Sequence, residues 1–307
     1  MRGTVFKSTG SWYEVLGEDG QFYQCRVRGK FRLENKKVTN PIAVGDIVTF
    51  ELESADEDTA VITSIESREN YIIRKSVKKS HHAHIIASNI DQALLLVTLS
   101  YPRTSVGFID RFTVSAESFR IPTILVFNKM DMLTDEEWEE LEDIVYTYES
   151  IGFKCITISA LEQHGLDEVK EVLRNKTTLV SGHSGVGKST MINALNPDID
   201  QKIGEVSDFA NKGIHTTTFA EMFEVDQDTY IIDTPGIKEL GLFEIEGNEL
   251  SDYFPEMRAL IGQCKFHNCT HTNEPGCAII RAVEEGEIAG SRYYSYLSML
   301  EDEDNRR

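Results

Sequence analysis

The chain has 307 residues, of which 40% are hydrophobic and 27% are charged, and its formal net charge is −20. This length exceeds the size to which one hydrophobic core usually grows, so we expect two or three domains. No run of about 18 apolar residues is available to span a membrane, and the acidic balance excludes general affinity for nucleic acid, so any RNA contact must be local.

The sequence predicts a cytoplasmic protein whose N-terminal region forms a small β-barrel. Residues 1–8 lack the apolar stretch of a secretory signal, and the odd number of cysteines, five, does not suggest a disulfide framework. Short runs of strand-forming residues separated by turns are typical of a barrel. These strands are predicted at 4–6, 12–16, 21–27, 46–52 and 60–65.

A basic stripe begins in the third predicted strand, beside the aromatic residues Tyr23 and Phe31. Its members are Arg26, Arg28, Lys30, Arg32, Lys36 and Lys37. Basic side chains interleaved with aromatic rings are how small barrels hold single-stranded or looped RNA. A solvated strand face with aromatic core residues fits the stretch equally well, so both interpretations stay open.

Residues 69–87 are interpreted as a basic linker without periodicity. The histidines in it, at 81, 82 and 84, have no cysteine or carboxylate nearby, so we assign them no metal. From residue 88 to 242, apolar runs alternate with helical segments, which is typical of a parallel sheet covered by helices. Thr134 and Glu137 have the spacing of a capping box and predict a helix start.

Residues 182–189, GHSGVGKS, match the P-loop pattern Gly-x4-Gly-Lys-Ser between an apolar strand and a helix. Glycines let the backbone N–H groups surround a phosphate, and the helix N-terminus adds partial positive charge. Lys188 is expected to reach the β- and γ-phosphates, and Ser189 to bind Mg²⁺. The predicted nucleotide-binding residues here are Gly182, His183, Ser184, Gly185, Val186, Gly187, Lys188, Ser189 and Thr190.

Residues 128–131, NKMD, follow an apolar strand and match the signature that reads guanine. The Asp131 carboxylate can accept hydrogen bonds from the N1–H and 2-amino groups of guanine, a donor pair that adenine lacks, so an ATPase is the least favoured reading. Ser159 and Ala160 resemble the accompanying loop that supports the base. The predicted base-binding residues are Asn128, Lys129, Met130, Asp131, Ser159 and Ala160.

Residues 233–236, DTPG, end another predicted strand. Asp233 is expected to hold Mg²⁺ through water, and the Gly236 N–H to meet the γ-phosphate. A threonine-rich segment at 212–218 is interpreted as a switch, with Thr216 or Thr217 as the favoured metal ligand. A threonine-rich strand start is the alternative.

Ile237 occupies the position at which Ras-like enzymes carry a water-orienting glutamine. An isoleucine cannot hydrogen-bond water. We therefore expect slow intrinsic hydrolysis that depends on another group, with His215 or a partner as the hypothesis.

Residues 243–307 predict a mostly helical domain with a structural zinc site. Three thiols and an imidazole, from Cys264, Cys269, His271 and Cys277, fall within one short segment. This donor set binds Zn²⁺ tetrahedrally and leaves no open position for catalysis. His267 competes as the nitrogen ligand, but the spacing favours His271.

The order of these motifs is unusual because the guanine signature precedes the P-loop, which indicates a circularly permuted domain. With the barrel before it and Cys-x4-Cys-x-His-x5-Cys after it, the whole chain resembles the ribosome small-subunit-dependent GTPase family of the RsgA type. Three segments agree with the resemblance: 105–111 (SVGFIDR), 213–218 (GIHTTT) and 274–277 (EPGC).

The resemblance implies an OB-fold RNA-binding domain (1–68), a linker (69–87), a circularly permuted P-loop GTPase domain of α/β type (88–242) and a zinc-binding domain (243–307). It also implies hydrolysis of GTP to GDP and phosphate with Mg²⁺, stimulated by the 30S subunit late in its maturation. The implied partners are the 30S subunit and 16S rRNA, with no membrane. Nothing in the sequence demands a dimer, so a monomer is expected.

Two alternatives remain from sequence. One is a GTPase that regulates another partner, and it shares every nucleotide-binding residue. The other is an RNA-binding assembly module whose nucleotide site is only structural, which the presence of Lys188, Ser189 and Asp233 disfavours.

Overall fold

The computed structural model describes residues 1–27, 42–53, 59–75, 83–199, 220–233, 245, 247 and 249–301, and the structural statements below concern these residues. Within these ranges, every helix is too short or too polar to cross a lipid bilayer.

The N-terminal region forms a five-stranded barrel, as predicted. Its strands are β1 (Arg2–Ser8), β2 (Tyr13–Gly17), β3 (Phe22–Val27), β4 (Ile47–Leu52) and β5 (Thr59–Ile65). They pair in the order β1-β2-β3-β5-β4, and β4 closes the barrel on β1. Alternate side chains such as Val5, Val15 and Phe50 fill the interior, because successive residues of a strand point to opposite faces.

Tyr23 fits the second interpretation of the basic stripe, in which the aromatic residues belong to the barrel core. Its ring lies 5.1 Å from that of Phe50 in the barrel core, and its hydroxyl donates a 2.6 Å hydrogen bond to Asp19. Tyr23 is therefore a core residue that cannot stack on an RNA base. Arg26 is exposed and forms a 2.5 Å ion pair with Glu53. The remaining stripe residues, Arg28, Lys30, Phe31, Arg32, Lys36 and Lys37, lie outside the described residues.

The segment 69–87 contains regular structure, which corrects the prediction of a linker without periodicity. Strands β6 (Tyr71–Lys75) and β7 (Ala83–Ser88) pair antiparallel. Ile72 and Ala87 are fully buried and pack against the central sheet. The basic residues dominated the composition of this segment and obscured two short apolar runs.

The central sheet contains six strands and places the P-loop strand in its middle. The strands are β8 (Gln92–Val97), β9 (Thr123–Phe127), β10 (Lys154–Thr157), β11 (Thr177–Ser181), β12 (Glu221–Asp226) and β13 (Thr229–Asp233). Their order is β10-β9-β8-β11-β13-β12, and all pairs are parallel except β12 with β13. Within the central sheet, the strands that precede β11 in sequence lie on one side of it and those that follow lie on the other.

Helices cover both faces of this sheet. They are α1 (Val106–Ser118), α2 (Asp135–Ser150), α3 (Leu166–Leu173) and α4 (Lys188–Leu195). Residues of α1 and α2 pack with Leu95, whereas residues of α3 and α4 pack with Leu94 on the opposite face. The capping box is confirmed: the Thr134 hydroxyl accepts from the Glu137 N–H (3.3 Å), and the Glu137 carboxylate accepts from the Thr134 N–H (3.0 Å).

The barrel contacts both the central sheet and the hairpin of β6 and β7. Strand β1 pairs with β12 at Lys7 and Glu221, whose side chains form a 3.0 Å ion pair. The fully buried Asp46 carboxylate accepts from Arg68 Nε at 2.6 Å and Nη2 at 2.7 Å, and from the Ser88 hydroxyl at 2.5 Å. A buried carboxylate needs such partners, because leaving it unpaired would be costly.

The C-terminal region is mostly helical, as predicted, and packs on α1. Its helices are α5 (Pro255–Arg258), α6 (Ala278–Glu284) and α7 (Gly290–Glu301). We call these helices and the cysteine-containing segment before α6 the C-terminal module. Val114 of α1 belongs to its hydrophobic core. The domain boundaries at 68, 87 and 242 stay predictions.

Candidate nucleotide site and metal centre

The loop between β11 and α4 has a backbone conformation that requires glycine. Gly182, Gly185 and Gly187 have φ angles of +149°, +84° and +99°. A Cβ added to Gly182 would lie 2.6 Å from the Leu96 carbonyl oxygen, and one added to Gly187 would lie 2.3 Å from Asn128 Nδ2. These approaches explain why the pattern needs glycine at both ends, since only glycine adopts such backbone angles without strain.

Lys188 is held across this loop by backbone carbonyls. Its Nζ donates to the carbonyl oxygens of Gly182 at 2.7 Å and His183 at 3.1 Å. Burial lowers the pKa of Lys188, and the attraction of the Asp233 carboxylate opposes that shift. The charges of Lys188 and Asp233 thus interact, and their role in a phosphate and metal site stays a prediction.

Asn128 joins the base-reading segments to the P-loop. Its Nδ2 donates a 2.8 Å hydrogen bond to the Val186 carbonyl oxygen, and its Oδ1 accepts one of 3.0 Å from the Ala160 N–H. The side chain is 4% exposed. Three segments that are separate in sequence are brought together by this one amide.

The carboxylate predicted to read guanine is oriented by a neighbouring hydroxyl. Ser159 Oγ donates a 2.5 Å hydrogen bond to Asp131 Oδ1 and accepts one of 3.1 Å from the Glu162 N–H. Asp131 itself is exposed. The Met130 N–H is bound to the Ile158 carbonyl oxygen at 3.2 Å. Asp131 is thus exposed at the surface of the loop, while the backbone of the preceding residue, Met130, is held by its hydrogen bond to Ile158.

Tyr101 and Phe108 lie near the site but were not singled out from the sequence as site residues. The Lys129 ammonium donates to the Tyr101 carbonyl oxygen, and the ring of Phe108 lies 4.0 Å from that of His183, measured between centroids. Both residues follow β8, the strand beside β11. Only their position after a strand that neighbours the P-loop strand could have indicated them, since the carboxyl ends of neighbouring parallel strands converge on one binding crevice.

The donor set at the mouth of the loop fits Mg²⁺. Ser189 is the second residue of α4, and Asp233 ends β13, which pairs with β11 through Val180. A hydroxyl and a carboxylate are oxygen ligands of the kind that Mg²⁺ takes beside nucleotide phosphates. Ser184, Gly185 and Thr190 are also exposed at this mouth. The predicted residues His215, Thr216, Thr217, Gly236 and Ile237 lie outside the described residues.

Cys264, Cys269, His271 and Cys277 form a compact cluster in the C-terminal module. One ligand atom from each lies within 4.8 Å of all the others. Cys264 Sγ is 3.9 Å from Cys277 Sγ and 3.6 Å from His271 Nδ1, and His271 Nδ1 is 3.4 Å from Cys277 Sγ. Zn–S bonds of about 2.3 Å and Zn–N bonds of about 2.0 Å place tetrahedral ligands at roughly these separations. The four residues therefore fit zinc, with Nδ1 as the imidazole donor.

Hydrogen bonds hold the segment that carries these ligands. The Tyr293 hydroxyl donates to the His271 carbonyl oxygen at 2.7 Å, and Tyr296 donates to that of Thr270 at 2.8 Å. The Glu274 carboxylate accepts from the N–H groups of residues 270, 272 and 273. Burial raises its pKa, but the Thr270 hydroxyl and the backbone N–H donors outweigh burial and lower the pKa of Glu274 to about 2. These bonds hold the backbone on either side of His271.

Comparison with known proteins covers the whole chain. A family model described as the RsgA GTPase matches residues 65–243, and one described as the RsgA N-terminal domain matches residues 2–62. A protein of Christiangramia forsetii named small ribosomal subunit biogenesis GTPase RsgA is 54% identical and covers 100% of this chain and 98% of its own length. One of Bacteroides thetaiotaomicron, named small ribosomal subunit biogenesis GTPase RsgA 2, is 53% identical, with coverages of 99% and 97%.

Two solved structures are similar over their whole length. The crystal structure of YjeQ from Thermotoga maritima has a TM-score of 0.78 at 35% identity and covers 100% of this chain and 99% of its own. The crystal structure of YloQ, described as a circularly permuted GTPase, has a TM-score of 0.75 at 30% identity, with coverages of 100% and 96%. The arrangement of the central sheet around β11 therefore has counterparts in solved proteins.

Proposed function

This chain belongs to the RsgA GTPase family, and we propose that it binds GTP at residues 182–189 and hydrolyses it while docked on the maturing 30S subunit. The family assignment makes the chain a GTP-hydrolysing enzyme of small ribosomal subunit biogenesis. The proposal adds the residues that hold the nucleotide and the surface that meets the subunit.

The observation that carries the nucleotide assignment is the position of Asn128 between two loops. Its amide binds Val186 of the P-loop and Ala160 of the base-supporting loop. This supports one continuous site in which the P-loop holds the phosphates while Asp131, oriented by Ser159, accepts from guanine. An isolated P-loop would leave the choice of base undetermined.

The groups proposed for hydrolysis lie at the P-loop, at the end of β13 and in the predicted switch segment. Mg²⁺, when bound, neutralises charge on the β- and γ-phosphates. Ser189 and Asp233 are the residues that would hold it, and Lys188 would exchange its backbone carbonyl partners for phosphate oxygens. His215, Thr216, Thr217 and Gly236 complete the proposed switch region on sequence grounds alone.

Docking is assigned to the N-terminal barrel and, through its zinc-stabilised fold, to the C-terminal module. The net charge of −20 disfavours RNA binding over the whole surface of the protein. Arg28 and Lys30 belong to the basic stripe and are therefore proposed to contact 16S rRNA. A role on ribosomal subunits also supports the expectation of a cytoplasmic protein, and a monomer stays the expectation from the sequence.

The deciding experiment measures phosphate release from GTP by the purified chain with and without 30S subunits. We expect slow release alone and strong stimulation by 30S subunits. A Lys188→Ala variant should abolish release in both conditions, which controls for contaminating GTPases. Equal rates with and without subunits would contradict the proposed stimulation, and a GTPase serving another partner would then be favoured.

A second experiment tests the docking surface by cosedimentation with 30S, 50S and 70S particles in a nonhydrolysable GTP analogue. We expect binding to 30S particles that the pair Arg28→Glu and Lys30→Glu weakens without changing nucleotide affinity. The matched control reverses two exposed basic residues of the nucleotide-binding domain, Lys170 and Arg174. Unchanged cosedimentation of the barrel variant would exclude docking through the basic stripe.

A further inference from the structure

Helix α1 touches the P-loop at one end and the C-terminal module along one side. Phe108 lies in its first turn, and Asp110 and Val114 face the C-terminal module. Because residues two apart on a helix point to nearly opposite sides, Phe108 and Asp110 can serve different neighbours. Helix α1 therefore connects the P-loop with the C-terminal module.

The contact at the P-loop is a ring pair. The Phe108 and His183 rings lie 4.0 Å apart at an interplanar angle of 33°. The start of the helix is fixed by the Ser105 side chain, which accepts from the Phe108 N–H at 3.3 Å. Phe108 also packs against the core beneath α1. Its ring is thus a fixed support for the second residue of the P-loop.

His183 is directly linked to the phosphate-binding lysine. Its carbonyl oxygen accepts from Lys188 Nζ at 3.1 Å. The ring that Phe108 supports and the carbonyl oxygen that Lys188 binds belong to the same residue, so the seating of the ring bears on the position of this acceptor. The position of Phe108 should therefore affect how the loop meets a phosphate.

The contact with the C-terminal module is a buried ionic network. Arg292, which is 1% exposed, donates to Asp110 Oδ1 at 2.5 Å, and to the two oxygens of Glu256 at 2.7 and 3.2 Å. The Tyr148 hydroxyl donates to the same Asp110 oxygen at 2.6 Å. Burial raises the pKa of Asp110, and the Arg292 charge and the hydroxyl donors of Tyr148 and Ser295 oppose that shift.

We propose that Phe108 is a positioning residue for the P-loop, acting through His183, and that the C-terminal module sets nucleotide affinity through α1. The inference rests on the assignment of residues 182–189 as the nucleotide site. It gives the module a role in addition to docking: whatever changes the module's hold on α1 changes the nucleotide site. The physical basis is that a packed helix moves as a unit, so restraint on one side is felt at its end.

The first test measures N-methylanthraniloyl-GDP affinity and the steady-state kinetics of GTP hydrolysis in Phe108→Ala. We expect the Kd and the KM to rise roughly 3- to 10-fold, the range expected for loss of an aromatic pair, with kcat changed less than about twofold. Phe108→Tyr, which keeps the ring face, should restore the wild-type Kd. The matched control is Phe119→Ala, which removes a partly buried ring packed on the same core at the other end of α1.

Two outcomes would overturn the inference while leaving the nucleotide site in place: an unchanged Kd in Phe108→Ala, or an equal loss of affinity in Phe119→Ala. Failure of the unmodified chain to bind N-methylanthraniloyl-GDP would instead overturn the nucleotide site itself. The two failures are therefore distinguishable.

The second test asks whether the module acts through Phe108. Glu256→Gln weakens the hold on Arg292 without changing side-chain size. We expect it to raise the Kd about twofold or more in the wild-type background and to have no further effect in Phe108→Ala, since coupled residues are non-additive. Equal effects in the two backgrounds, or no effect in either, would exclude α1 as the connection. Thermal unfolding of each variant confirms that the measured protein is folded.

Discussion

The Asn128 amide donates a 2.8 Å hydrogen bond to the Val186 carbonyl oxygen, which lies 58 residues further along the chain. The same side chain accepts from Ala160 at 3.0 Å and is 4% exposed. One buried amide thus sets the distance between the loop assigned to the phosphates and the loops assigned to the base. The relationship makes Asn128 a structural part of the nucleotide site, whether or not it touches the nucleotide.

Asn128→Ala should lower both stability and nucleotide affinity. The change leaves the Val186 carbonyl and the Ala160 N–H buried without this partner, at a cost of about 1–3 kcal/mol for each group. Denaturant unfolding and N-methylanthraniloyl-GDP titration measure the two effects. Asn196→Ala is the control, because Asn196 also donates to a backbone carbonyl, that of Val225, at the far end of α4. If both variants lost affinity equally, the special role of Asn128 would be refuted.

Asp131→Asn should change the base that is accepted. The carboxylate can accept two hydrogen bonds from guanine, whereas an amide offers one acceptor and a donor group. The donor group suits the 2-carbonyl oxygen of xanthine, so we expect GTP affinity to fall and XTP affinity to rise. Competition of the two triphosphates against a fluorescent nucleotide measures the shift.

Ser159→Ala tests how Asp131 is positioned. It removes the hydroxyl that donates to Asp131 at 2.5 Å, and we expect weaker binding of GTP with no gain for XTP. The loss should correspond to about 1.5–3 kcal/mol, the value of a hydrogen bond to a charged group. A gain in XTP affinity in Ser159→Ala would contradict this division of roles.

Nucleotide affinity should fall with rising pH earlier than an ordinary lysine would predict. Burial lowers the pKa of Lys188 in the free protein, so the ammonium loses its proton below the usual lysine range. Bound phosphates favour the charged form, so binding takes up a proton and weakens as the pH rises through the lowered pKa. The Kd of GDP measured between about pH 7.5 and 10, near and below the usual lysine pKa, reports the slope.

Lys188→Arg is the matched control for that titration, because arginine keeps its charge throughout this range. The guanine base titrates in both proteins alike and cancels in the comparison. We expect a flatter pH dependence in the arginine variant, although its affinity at neutral pH is lower. Parallel curves would show that Lys188 does not titrate in this range.

Cys269→Ser should abolish tight zinc binding and unfold the C-terminal module. Structural zinc contributes directly to folding, and a hydroxyl is a poor substitute for a thiolate. Metal analysis of the purified chain should give one zinc per molecule for the wild type and much less for the variant. His267→Ala is the control, since His267 is not part of the four-residue cluster found among the described residues. Full zinc content in Cys269→Ser would reject the site.

Asp46→Asn should loosen the barrel from the hairpin of β6 and β7, because Asp46 bonds Arg68 before β6 and Ser88 at the end of β7. Removing one partner of a buried ion pair costs about 3–5 kcal/mol, because Arg68 keeps its charge without the carboxylate. The control Glu221→Gln breaks the more exposed pair with Lys7 and should cost no more than about 1 kcal/mol. Denaturant unfolding measures the loss of stability in both variants. An equal loss would show that the buried pair does not hold the barrel more firmly than the exposed pair does.

Short-range patterns predicted the elements of this fold well, while long-range contacts escaped them. The strand predicted at 21–27 is β3 (Phe22–Val27), and the helix predicted to start at Thr134 is α2 with Thr134 as its N-cap, because strand periodicity and capping act within a few residues. The hairpin of β6 and β7 was missed, since its apolar runs are short and are buried by residues distant in sequence, in the central sheet and around Ala43 and Phe119. Tyr23 could not be assigned from sequence for a similar reason: strand periodicity alone does not say which face is buried.

The sequence by itself indicated the chemistry proposed for this protein: a P-loop with Lys188 and Ser189, a guanine signature ending in Asp131, and four residues whose donor atoms suit zinc. Each is a local pattern in which the residue type carries the chemistry and the spacing is set by a few bonds. Only the tertiary structure decided which side chains hold these parts together. Asn128 reaches Val186 and Phe108 reaches His183 because parallel strands bring their carboxyl ends to one edge of the sheet. Such contacts arise from packing between distant segments, and no spacing along the chain records them.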